Sequence, residues 1–220
     1  MNVVHQSRSL GERRQSPKEE LANSISHGIG LLAGLIGAPI LLFAAFQKDS
    51  GFLVGAIVFT VTMLLLYLAS MLYHAWPPTR GKYVLQVLDH SAIFLLIAGT
   101  YTPFTLGPLR GWWGSSMLAV IWALAILGVI IKAMRGTLRH RKLAMSLYLG
   151  MGWSALLVAR PLVPLLPVSA VMWLVAGGIA YTTGVLFYIQ ERLRYGHFVW
   201  HLLVLTGTSC HFLAVLSCTA

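Results

Sequence analysis

Charge is scarce in this chain. Of 220 residues only 10% are charged and just six are acidic. Soluble domains carry about a quarter charged residues, so a water-facing globule is excluded. Polar stretches are short: the segments between apolar blocks leave no room for a separate soluble domain, and clear repeats and low-complexity runs are absent. Cysteine is confined to Cys210 and Cys218. They stand roughly 12 Å apart along one helix, too far for a disulfide within a regular helix, and read as packing residues.

Apolar side chains fill the remainder: 57% of residues are hydrophobic and the mean hydropathy is +0.76. A bilayer accommodates such a surface, at roughly 20 apolar residues per helical span. The apolar blocks run over 22–47, 52–76, 84–106, 112–134, 143–165, 168–190 and 195–218, behind a polar tail 1–21. The expectation is an all-α, polytopic membrane bundle of seven helices over 22–220. The first block is too long for a signal-peptide core and reads as a retained span. Pro39, Pro103 and Pro161 are expected to kink their helices locally.

A net charge of +10 would suggest nucleic acid in a soluble protein. Here the basic residues sit between apolar blocks and form no stripe, which argues against a nucleic-acid partner. Thirteen of the 16 fall on one side: the tail, loop 77–83, segment 132–142 and segment 191–196. Lys48, Arg110 and Arg160 take the other. Basic loops stay in the cytoplasm, so the N-terminus is expected inside and the C-terminus outside.

Ionisable groups inside a span are costly and ask for a partner or a function. Counted from the helix ends, Ser70, His74, Asp89, His197 and His201 fall in one layer on the cytoplasmic side, although they come from three helices. His197 and His201 are one turn apart, about 6 Å along one face. With His74 they make three imidazoles, and a fourth position is left for water, as in catalytic zinc sites. Asp89 would hold that water or take its proton. Blander readings stay open: Asp89 as a packing partner, Ser70 bonded to its own helix backbone, and the metal as structural. His27 reads as a helix cap or as a neighbour supporting the metal ligands, with the cap preferred, His90 as facing another neighbour, His211 as a core or pore-facing group, and His5 and His140 as solvated.

Several stretches resemble one family. Glu19-Glu20-Leu21-Ala22-Asn23-Ser24-Ile25-Ser26-His27-Gly28-Ile29-Gly30 is similar to the opening motif of the bacterial hemolysin III proteins, a branch of the progestin and adipoQ receptor family that includes the adiponectin receptors. Ser70-Met71-Leu72-Tyr73-His74, Leu88 to Phe94, Ala98 to Phe104, and the pair His197 and His201 resemble its further motifs. The resemblance implies a seven-helix multi-pass protein of the bacterial inner membrane, N-terminus inside. It implies zinc on His74, His197 and His201, with Asp89 beside the metal's water and Ser70 next to it. It also implies ceramidase-like hydrolysis of membrane lipid amides or esters. The family's name came from a claim of cytolytic pores. Three functions are therefore carried forward: a zinc-dependent lipid hydrolase, a pore-forming hemolysin, and a non-enzymatic sensor or regulator with structural zinc.

Overall fold

The computed structural model describes residues 15–135, 141–190 and 192–219. His5, His140, the arginines at 8, 13, 14 and 139 and Glu191 lie outside them. Seven helices are long and apolar enough to cross a membrane, and no strand occurs among the described residues. They are α1 (Pro17–Phe46), α2 (Ser50–Ala75), α3 (Arg80–Leu106), α4 (Trp112–Arg135), α5 (Arg141–Trp153, the start of a span reaching Leu165), α6 (Val168–Tyr188) and α7 (Gly196–Ser217).

Helix starts follow from local chemistry. Ser16 and Glu19 form a capping box: the Ser16 hydroxyl accepts from the Glu19 amide at 3.3 Å, and the Ser16 amide donates to Glu19 Oε2 at 2.9 Å. With Pro17 at the first helical position, α1 begins ahead of the apolar block at 22. Asp49 caps α2 by accepting from the Phe52 amide at 3.0 Å. Beyond α5 the span turns irregular, through a 3-10 stretch Ser154–Val158, one α-helical turn Ala159–Leu162 and a second 3-10 turn Val163–Leu165. The irregularity starts ahead of Pro161. The Tyr101 hydroxyl, from α3, meets it there, accepting from the Ala155 amide and donating to the Met151 carbonyl at 2.8 and 2.7 Å. A backbone that leaves the helical ladder at membrane depth needs such replacement partners.

Helices α1 and α2, α2 and α3, α3 and α4, and α6 and α7 pack as antiparallel neighbours, and α1 also packs on α7. Phe59, Phe94, Leu41, Ile121 and Met151 are fully buried between them. The outer faces carry Ile36, Phe43, Phe46, Ile57, Val61 and Leu186, all exposed. An apolar exterior of this kind is what lipid solvates and water does not. The antiparallel order brings the starts of α1, α3 and α7 and the end of α2 to one end of the bundle. At the opposite end Arg110 pairs with Asp49, tying the α1–α2 connection to the α3–α4 connection.

Candidate metal centre

Three buried or half-buried imidazoles meet at the first of these ends. His74 lies in the last turn of α2, and His197 and His201 lie in the first two turns of α7. One ring nitrogen from each lies within 4.8 Å of the others. Ring centroids are 5.1 Å apart for His74 and His197, 4.9 Å for His74 and His201, and 4.7 Å for His197 and His201. The helical repeat brings the two α7 rings together, and the packing of α2 through α1 to α7 brings the third.

The remaining ring nitrogens show which way the rings are turned. His74 Nδ1–H donates to Glu20 Oε2 at 2.8 Å. His201 Nδ1–H points at the Asn23 carbonyl, 3.2 Å away, and at Ser26 Oγ, 3.1 Å away, while the Ser26 hydroxyl itself donates to that carbonyl at 2.7 Å. With Nδ1 carrying the proton in both rings, each Nε2 keeps a free lone pair. His74 Nε2 and His197 Nε2 are buried and have no hydrogen-bond partner. Orphaned buried nitrogens are expensive, and imidazole lone pairs turned toward a shared point are a donor set suited to zinc. The residues present therefore fit a divalent ion.

Asp89 and Ser70 come together on facing turns of α3 and α2. The Asp89 carboxyl is buried, with Ser70 beside it. Ser70 Oγ makes no hydrogen bond of good geometry. Asp89 is not among the residues whose ligand atoms lie within 4.8 Å of one another, so it does not belong to the imidazole cluster.

Of the two readings of His27, a cap or a neighbour of the metal ligands, the structure supports the second, and Ser16 is the cap of α1. His27 is buried in α1 and lies face to face on His201. His90 turns back on its own helix, its Nδ1–H donating to the Gln86 carbonyl at 2.8 Å. His211 lies deeper, its Nε2 3.3 Å from the Leu174 carbonyl. Sequence reasoning missed Glu20, Asn23 and Ser26 as partners of the site. The signal was present, since polar residues at 20, 23, 24 and 27 recur at helical spacing on the start of α1. Glu19 adds a further tie from α1: its Oε1 accepts from the Tyr195 amide at 2.8 Å. Tyr195 has φ +59°, a conformation that costs a non-glycine residue energy, and it immediately precedes α7 and its first histidine.

The family model described as haemolysin-III related matches residues 15–212. The chain is 42% identical over 200 residues to the "Hemolysin-3 homolog" of Bacillus subtilis (strain 168), covering 90% of this chain and 93% of that one. It is 42% identical over 203 residues to "Hemolysin-3" of Bacillus cereus, covering 92% of each. The "Monocyte to macrophage differentiation factor" of Homo sapiens is 24% identical over 221 residues, covering 96% of this chain and 89% of that protein. No solved structure matches the chain. With seven apolar helices, a histidine cluster able to hold a metal ion and a family match over nearly its whole length, this chain belongs to the haemolysin-III-related family of multi-pass membrane proteins.

Proposed function

We propose that the protein is a zinc-dependent hydrolase of membrane lipid amides or esters, with its site at the cytoplasmic side of a bacterial inner membrane. The observation that carries this reading is the convergence of His74, His197 and His201, with a buried carboxyl, Asp89, near the start of α3 at the same end of the bundle. The excess of basic residues on the same side supports the orientation.

His74, His197 and His201 would hold the ion. Zinc, when bound, supplies Lewis acidity toward a carbonyl and makes water nucleophilic near neutral pH. Asp89 orients the attacking water and takes its proton, then returns that proton to the leaving nitrogen or oxygen. Ser70, buried beside Asp89, donates toward the charge developing on the carbonyl oxygen. The acyl chain lies along the apolar helices, at the depth of the bilayer interior.

Metal analysis of the purified protein beside a His197→Ala, His201→Ala double variant tests this. Wild type should retain about one zinc per chain and the variant almost none. Equal zinc in both would remove the metal and the hydrolase together. The lytic function in the relatives' names finds less support here, because bulky side chains such as Phe59, Phe94 and Met151 fill the space between helices. Conductance across planar bilayers containing the protein would restore it.

A further inference from the structure

Helix α1 gives no ring to the histidine cluster, yet its first turns contact two of the three rings. We infer that Glu20 is a positioning residue: through His74 Nδ1 it fixes the tautomer and the rotation of that ring, so that Nε2 is turned to the cluster before any ion arrives. The consequence for zinc rests on the metal reading above. The tautomer itself does not.

The geometry is that of a clamp between three helices. Glu20 Oε2 is 2.8 Å from His74 Nδ1 and Oε1 is 3.2 Å from Lys82 Nζ. The lysine is itself held in place, since Nζ donates to the Trp76 carbonyl at 3.2 Å and lies 4.9 Å from the centre of the Tyr73 ring. One carboxylate thus bridges the start of α1, the end of α2 and the start of α3. Because one of its oxygens is engaged by a cation that is fixed independently, the other is not free to rotate away from the imidazole. A carboxylate accepts and cannot donate, so the proton of His74 must sit on Nδ1. Nε2 is then left as a lone pair, and that atom is buried and unpartnered. A carboxylate behind an imidazole also raises the ring's strength as a metal donor.

A neutral pair serves His201, the Asn23 carbonyl and Ser26 Oγ. The two rings are therefore held from the same helix by different means. The charged arrangement is the one open to water, with the Glu20 side chain 26% exposed against 1% for His74.

A purely structural ion pair between Glu20 and Lys82 would predict the same stability loss on mutation but no change in His74. Ring-15N-histidine spectra of chelator-treated protein in detergent micelles separate the two, with His74 assigned from a His74→Gln variant. In wild type the His74 proton should reside on Nδ1. In Glu20→Ala it should redistribute toward Nε2. In Glu20→Gln, whose amide oxygen still accepts, it should stay on Nδ1. Zinc affinity, measured by competition with a coloured chelator, should fall roughly 10-fold to 100-fold in Glu20→Ala, the range found when a ligand's hydrogen-bond partner is removed, and less in Glu20→Gln. An unchanged His74 tautomer in Glu20→Ala would overturn the inference. A wild type that takes up no zinc, yet shows the tautomer change, would uphold the role of Glu20 and sink the metal reading instead.

Discussion

His27 lies flat against His201, with ring centroids 3.8 Å apart and planes within 9° of parallel. The stack covers one face of a ring whose Nδ1 is already anchored to α1, so His201 has little freedom to turn. His27→Ala should uncover that face and weaken zinc binding. His27→Phe should restore most of it, because the stack needs a flat ring and not a nitrogen. Zinc affinities of the two variants check this. Equal losses would mean that a His27 nitrogen matters.

Asp89→Asn should abolish release of fatty acid from an N-acyl lipid while zinc content stays at the wild-type level. The carboxyl does not belong to the imidazole cluster, so its removal should spare the metal. A general acid-base group typically contributes 10²–10⁴-fold in rate, and a loss of about that size is expected. Undiminished turnover in this variant would exclude the proton-transfer role.

Gly55 in α2 faces the backbone of Pro103 in α3 so closely that an added Cβ would sit 2.6 Å from Pro103 N. Proline backbone cannot yield as a flexible side-chain tip can. Gly55→Ala should therefore force α2 and α3 apart and cost about 1–3 kcal/mol, the usual range for overpacking. Gly150→Ala makes a control, since nothing lies within 4 Å of its Cβ position. Melting in detergent should drop for the first and hold or rise for the second.

Asp49 gives a pH dependence at the other end of the bundle. Its slight burial pushes the carboxyl up, but the Phe52 N–H and the Arg110 guanidinium outweigh that and hold it below its ordinary 3.8. A folded-state value below the unfolded one adds stability above pH 3.8 that is lost as pH falls through the lower folded value. The group is well exposed, so the effect is small. Asp49→Ala, which removes the α2 cap, should cost about 1 kcal/mol near neutral pH. The gap between wild type and variant should narrow in thermal melts as pH falls below 3.8.

Orientation can be read by labelling. In a background with Cys210 and Cys218 replaced by serine, an impermeant maleimide should label Lys48→Cys on intact cells. Arg80→Cys should react only after lysis. Both positions are exposed, so the reverse pattern would place the histidine cluster outside.

The number and nature of the helices were legible from hydropathy alone, because a span must satisfy its own backbone and the lipid at once. The depth of His74, His197 and His201 was equally legible, since rise per residue converts position into height. Rotation around the helix axis was not. Nothing in the order of residues says that the ring of His27 turns inward to meet His201, or that Asp89 is buried beside Ser70.

By itself the sequence determined seven apolar helices and a shared level for the polar groups, both consequences of one-dimensional spacing. The tertiary structure decided which helix flanks which. Packing α1 between α2 and α7 puts Glu20 behind His74 and Asn23 and Ser26 behind His201. That choice depends on side-chain fit across helices distant in the chain, and no local pattern encodes it.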